Sequence, residues 1–358
     1  MQLLKEINGS INSISSTLAI TSAMKMVAAA KLQKAQMAIQ NMLPYERRLH
    51  SMLIDLMGTM NISAAASEDG SVRGSGSAER GFDQSGDRLS LSNRHDLAGM
   101  DGAYSLMAQR EVRKVAIVAF ASNSSLCGAF NSNVIREATA VINEYRASGL
   151  GDADITVYSV GRKMAEAMKK LGFPSPADFT KMSDSPSYDA ASALAQELFD
   201  GFVSGRFDKV ELVYNHYKST SSQPTTRQTY LPLSLADATA DLQAGKIADS
   251  ASESDTNRGA ETVGAPVVRQ GSPTTEDLIV EPSKEALIAI LLPKVIRLRI
   301  FTTLLDSAAA EHAARTVAMQ LATDNGNDLL QELTLEYNKG RQQKITSEIL
   351  DLVGGSMQ

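Results

Sequence analysis

From Ile7 onward the inward-type positions of this chain step alternately by four and three residues, through Ile11, Ile14, Leu18, Thr21, Lys25, Ala28, Leu32, Ala35, Ile39, Met42, Glu46, Leu49, Leu53, Leu56 and Met60. Such alternation keeps one narrow stripe facing the same way along an α-helix. Sustained over about 55 residues, it predicts a helix of roughly 80 Å at about 1.5 Å per residue. A helix of that length requires a partner. The C-terminal third supplies one, because Leu298, Phe301, Leu305, Ala308, His312, Met319, Ala322, Leu329 and Leu333 follow a related spacing before the register moves to Ile345, Ile349 and Leu352. The small Ala positions on both segments let the backbones approach, and a period near 3.5 implies a left-handed supercoil. Pro293, near the entry to the second segment, predicts a kink or a late start there.

Between the two helical ends the pattern changes. Val112–Phe120 reads as a buried strand, 132–148 as a helix after the cap candidate Asn131, and Ile155–Val160 as a second strand. Gly161 then turns into a helix over Arg162–Leu171, Asp189 is placed to cap a helix running to Ser204, Lys209–Tyr217 forms a third strand, and Arg227–Leu233 adds an edge strand ending at Pro232. Strands alternating with helices over short connections predict a mostly parallel sheet. The expected fold class is therefore α/β: a long antiparallel coiled coil of the N- and C-terminal helices with an inserted Rossmann-like three-layer α/β domain. The expected divisions are 1–60 for the first helix, 61–110 for a polar insertion, 111–235 for the α/β domain, 236–283 for an acidic insertion and connection, and 284–358 for the second helix. Within the insertions, 63–109 is rich in Ser and Gly, and 236–277 carries eight acidic against three basic residues. Neither has the apolar density to offset the entropy of ordering, so both are expected to be solvated.

Several classes of function are excluded or disfavoured. A formal charge of -6 argues against a nucleic-acid binder that neutralises phosphates. No GxxxxGK[ST] phosphate loop occurs, and the glycines of 70–81 lack both the lysine and the strand-to-helix setting. His50, His95, His216 and His312 are dispersed, and Cys127 stands alone, so no metal-ligand cluster and no cofactor site is expected. A single cysteine fits a reducing compartment. Cys127 follows a strand, where a nucleophile could be exposed, but packing is the simpler role for a small apolar thiol. His312 beside Glu311 reads as a helix-packing residue before an acid–base one.

Particular strings then add to the periodicity. Ala23-Met24-Lys25-Met26-Val27-Ala28-Ala29-Ala30-Lys31-Leu32 resembles the N-terminal helix of the gamma subunit of F-type ATP synthase. Glu311-His312-Ala313-Ala314-Arg315, Ala318-Met319, Ala322-Thr323-Asp324-Asn325 and Tyr337-Asn338-Lys339-Gly340-Arg341-Gln342 through Ile349 are similar to that family's closing signature, and 126–131, LCGAFN, to its central string. One departure is Asn123-Ser124-Ser125, where the family pattern carries Asp-Arg-Gly.

The resemblance implies a non-catalytic subunit: a central rotor shaft coupling ion-driven rotation of a membrane ring to ATP synthesis or hydrolysis. Its partners would be three alpha and three beta subunits, an epsilon subunit and the membrane c-ring. The chemistry would lie on the beta subunits, with the chain held peripherally at the cytoplasmic face of a bacterial inner membrane. Carried over position by position, Met24, Lys25, Arg341, Gln342 and Thr346 would meet the beta-subunit ring. Ile349, Leu350, Leu352 and Val353 would form an apolar shaft tip in a hydrophobic sleeve. A non-enzymatic coiled-coil adaptor with an α/β head explains the periodicity but not the separated strings, and a small-molecule enzyme would hold its ligand near the loop 123–131.

Overall fold

The computed structural model describes residues 2–68, 106, 110–233 and 284–356. Its organising element is a strand, β1 (Val115–Phe120), whose six residues VAIVAF are all buried. An unbroken apolar run belongs to a strand covered on both faces. Strand β1 is parallel to β2 (Ile155–Val160) on one side and to β3 (Lys209–Asn215) on the other. Strand β4 (Thr225–Leu231) closes the edge antiparallel to β3, giving the order β2-β1-β3-β4.

Alternate residues of β1 serve two different cores. Val115, Ile117 and Ala119 pack with Val134, Val141 and Ile142 of α2 (Phe130–Ala147) and with Met164 and Met168 of α3 (Arg162–Lys170). Ala116, Val118 and Phe120 face the opposite way. That second core takes Met182 from the short α4 (Thr180–Asp184), Leu194, Leu198 and Phe202 from α5 (Tyr188–Val203), and side chains from both long helices. Leu49, Leu53 and Leu56 come from α1 (Gln2–Glu68), and Ile288, Leu292 and Ile296 from α6 (Lys284–Ser356). Each such side chain contributes about 1.5–3 kcal/mol of burial. The root of the helix pair is thus part of the α/β core, and the sheet carries helices on both faces.

Several local expectations are corrected. Helix α1 continues to Glu68, into the stretch read as a polar insertion. Helix α6 starts at Lys284, so Pro293 lies inside it and does not delay its start; Pro44 lies likewise inside α1. Asn131 is no cap: α2 begins at Phe130, and Asn131 Oδ1 instead accepts from the Ser122 N–H at 3.0 Å. Ser187, not Asp189, caps α5, its side chain accepting from the Ala190 N–H. The edge strand sits two residues earlier than expected, and β3 ends at Asn215. Leu106, from the segment expected to be solvated, is fully buried, and its carbonyl accepts from the Leu233 N–H at 3.0 Å. The rest of that segment beyond Glu68, and the second insertion, lie outside the described residues.

Candidate functional site

Beyond the sheet the two long helices run antiparallel. Glu46 of α1 accepts from Thr302 of α6 at 3.1 Å, Leu32 packs on Ala309 and Ala313, Thr323 donates to Thr21 at 3.1 Å, Leu18 lies over Gly326 and Leu4 over Gly340. On α1 every position of the expected stripe from Ile7 to Leu56 is buried or half-buried. On α6 the outcome is mixed. Leu298, Leu305, Ala308 and Met319 are buried, but Ala322 and Leu329 are exposed, as are Ile345, Ile349 and Leu352. The inward positions beyond Met319 are Thr323, Gly326, Leu330, Leu333, Tyr337, Gly340 and Lys344, again stepping by four and three. Two glycines hold this register, and a search for apolar residues passes over them.

A Cβ placed on Gly326 would lie 2.7 Å from Leu18 Cδ2, and one on Gly340 would lie 3.1 Å from Leu4 Cδ2. Leu4 and Leu18, two heptads apart, thus seat on glycines two heptads apart. Gly9, on α1, meets nothing within 4 Å. Gly9→Ala is therefore expected to stabilise the helix pair by up to about 1 kcal/mol through helix propensity. Gly326→Val should destabilise it by about 1–3 kcal/mol through overpacking. Thermal unfolding of the full chain followed by helical circular dichroism checks both; equal stabilisation by the two variants would refute the close approach at Gly326.

The residues carried over for partner contact lie at two levels of this pair. Met24 is exposed and Lys25 half-buried, near the Thr21–Thr323 contact. Arg341, Gln342 and Thr346 are exposed roughly 30 Å further along, at about 1.5 Å per residue. The Thr346 hydroxyl donates to the Gln342 carbonyl at 2.9 Å, so it is held within its own helix. Because Leu4 already meets Gly340, the last turns of α6 pass beyond the start of α1. Ile349, Leu350, Leu352 and Val353 are 53–74% exposed there. Sequence reasoning missed Ile20, Met26 and Val27, all more than half exposed. Ile20, Met24 and Val27 form a second apolar line off the inward stripe, and large apolar residues off the stripe were the signal that could have found it.

The α/β domain is fastened to α6 through the loop that follows β1. Arg315 bonds Glu311 at 2.8 Å and the Ser124 hydroxyl at 2.7 Å. Cys127 and Phe130 pack on Ala310 and Ala314. Leu126 and Gly128 adopt positive φ, and a Cβ on Gly128 would meet Ala318. Asn123, the first residue of the Asn-Ser-Ser triplet noted above, accepts from the Arg162 N–H at 2.8 Å through Oδ1 and so caps α3, while its carbonyl takes the Arg162 guanidinium at 2.7 Å. This loop lies at the carboxyl end of the central strand, where open α/β sheets commonly bind ligands. Here α6 covers it. Cys127 is buried and within reach of Asn131 and Ser122, in keeping with packing.

Burial pushes the Glu311 carboxyl up, with Arg315 opposing it. Burial also drives His312 down to about 4, assisted by Arg315 and Lys31, so its ring is neutral near pH 7. Among the described residues no group of His, Cys, Asp and Glu is arranged to hold a metal ion, and no helix is long and apolar enough to cross a membrane.

The family model described as ATP synthase matches residues 3–357. The ATP synthase gamma chain of Phocaeicola vulgatus is 46% identical over 357 residues, covering 100% of both chains. That of Bacteroides thetaiotaomicron is 44% identical with the same coverage, and that of Flavobacterium psychrophilum 34% identical over 99% of this chain and 98% of its own. Among solved structures, a chain of the Euglena gracilis mitochondrial ATP synthase assembly with OSCP, F1 and c-ring superposes with a TM-score of 0.53 at 18% identity, covering 99% of this chain and 94% of that one. At that identity it speaks to the fold.

Proposed function

The chain belongs to the ATP synthase gamma family, and on that premise we propose that it is the central shaft of a rotary ATP synthase, turning within a ring of three alpha and three beta subunits. The helix pair is read as a left-handed coiled coil and the sheet with its helices as a Rossmann-like domain. The α/β domain faces the epsilon subunit and the membrane c-ring, and the projecting end of α6 enters the catalytic ring. ATP is made or hydrolysed on the beta subunits, and this chain supplies no catalytic group. The complex holds it peripherally, at the cytoplasmic face of a bacterial inner membrane.

The observation that carries this reading is the placement of apolar side chains on the outside of a helix pair whose seam is already filled. Ile20, Met24 and Val27 at one level, and Ile349 to Val353 at the end, need a surrounding surface. An apolar sleeve around the end gives nonspecific contact with little rotational preference. At the levels of Lys25 and of Arg341, Gln342 and Thr346, exposed polar contacts are individually worth about 0–1 kcal/mol, so none traps the shaft at one angle. An adaptor built from a coiled coil does not account for a family match running through both helices and the sheet.

The test is reconstitution with the cognate alpha and beta subunits. ATP hydrolysis should require this chain, and Arg341→Ala with Gln342→Ala should lower it. Folded alpha and beta subunits that neither bind the chain nor respond to it would reject the reading.

A further inference from the structure

At the end of β3 the chain meets both long helices through a single residue. The Tyr217 N–H donates to Asp306 Oδ1 of α6 at 2.9 Å, and its hydroxyl accepts from Gln36 Nε2 of α1 at 2.6 Å. Its ring packs against the cluster of Leu32, Ala309 and Ala313 and against that of Cys127, Phe130 and Ala310. His216 Nδ1 lies 2.6 Å from the other oxygen of Asp306. On one side of this contact an open crevice of about 790 Å³ lies between the end of β3 with the start of β4 and the helices, lined by Leu43, Thr226 and Gln228 among others, whereas at the other end of these strands Tyr230 and Leu231 pack in one core with Leu49 and Ile296. Across that gap the sheet does not press on the shaft, so Tyr217 and Asp306 bridge the two at its edge.

We infer that Asp306 is a positioning residue for torque: by holding His216 and Tyr217 while Gln36 holds Tyr217 from the other helix, it locks the α/β domain to both strands of the shaft. The inference rests on the rotor reading above. A load applied to the α/β domain then reaches α1 and α6 together, and the joint is stiffest when His216 carries a proton.

The hydrogen bond to Asp306 raises the His216 pKa above its usual 6.5, against burial and the charge of Lys218. The charged and titratable groups around the crevice are Glu46, Arg47 and His50 from α1, Arg299 and Asp306 from α6, and Tyr214, Tyr217 and Lys218 from the sheet side. Because the folded value is the higher one, the charge-assisted contact is complete below about pH 6.5 and is lost as the pH rises through the folded value.

The experiment uses the complex assembled with alpha and beta subunits, stalled by bound nucleotide, with a probe on the α/β domain whose angular fluctuations report torsional stiffness. Asp306→Ala is expected to widen the fluctuations about twofold and Asp306→Glu to restore them, with hydrolysis in the absence of load unchanged. Wild type should soften with rising pH, and His216→Gln should be soft and insensitive to pH. Exchange of the Tyr217 amide in the full chain should accelerate in Asp306→Ala, an effect readable without the complex. Rotation with unaltered stiffness in both variants overturns the inference and leaves the rotor reading standing. Hydrolysis without rotation overturns both.

Discussion

Replacing Glu211 by alanine is expected to destabilise the chain by about 3–5 kcal/mol, the loss typical of breaking a buried ion pair on one side. Glu211 lies on the interior strand β3 with its side chain 2% exposed. It accepts from Tyr145 at 2.6 Å, from Lys209 at 2.6 Å and from Arg227 at 2.7 Å, and Arg227 also reaches Glu144. Burial pushes the carboxyl up, but the hydrogen bonds from Arg227, Lys209 and Tyr145 outweigh it and hold the group below its usual 4.5. Its stabilising contribution is therefore present above about pH 4.5 and is lost as the pH falls through the folded value. Removing the carboxylate takes from Lys209 its ion pair, leaves Arg227 with Glu144 alone, and loosens β4. Denaturant unfolding at pH 7 measures the loss, which should shrink below pH 4. A change under about 1 kcal/mol would mean that water reaches Lys209 and Arg227 and replaces the pair.

Ending the chain after Leu333 should remove most of the ATP synthesis driven by ion flow while leaving the α/β domain folded. The truncation deletes Tyr337 and the Leu4–Gly340 contact, the exposed Arg341, Gln342 and Thr346, and the apolar end from Ile349 to Val353. It leaves Leu18 on Gly326, Leu32 on Ala309 and Ala313, and both faces of the sheet. The two losses should therefore separate. Thermal unfolding of the domain should shift by no more than a few degrees, while synthesis in energised vesicles collapses. Normal coupled synthesis by the truncated chain would show that the exposed end does not work against the catalytic ring.

The parts of this architecture that burial dictates were legible in the residues. The strand Ile155–Val160 and the α1 stripe from Ile7 to Leu56 announce themselves through apolar spacing and lie where read, and the strand read over Val112–Phe120 starts three residues later, at Val115, where the buried run begins. The seam of α6 was half hidden because Gly326 and Gly340 contribute by lacking a side chain, so Ala322 and Leu329 were taken for inward positions. Helix starts were misplaced where the cap was misread, as with Asn131, which lies inside α2, and Asp189, which Ser187 precedes as the cap of α5; α3 starts at Arg162 as read. The joint of Tyr217, Asp306 and Gln36 unites residues far apart in the chain, and no local pattern could have joined them. Cys127 was legible as a packing residue because small size is a local property, and it is buried; His312 is half-buried on its helix. The partner-contact positions came only from the matching strings; the structure adds that they are exposed or half-buried and stand at two levels of one shaft.

The most direct test of the rotor assignment is to fix the alpha–beta ring to a surface, attach a probe to the α/β domain of this chain and add ATP. Stepwise rotation in one direction, three steps to a turn to match three catalytic sites, is the expected result. Sustained hydrolysis with the probe stationary would contradict it.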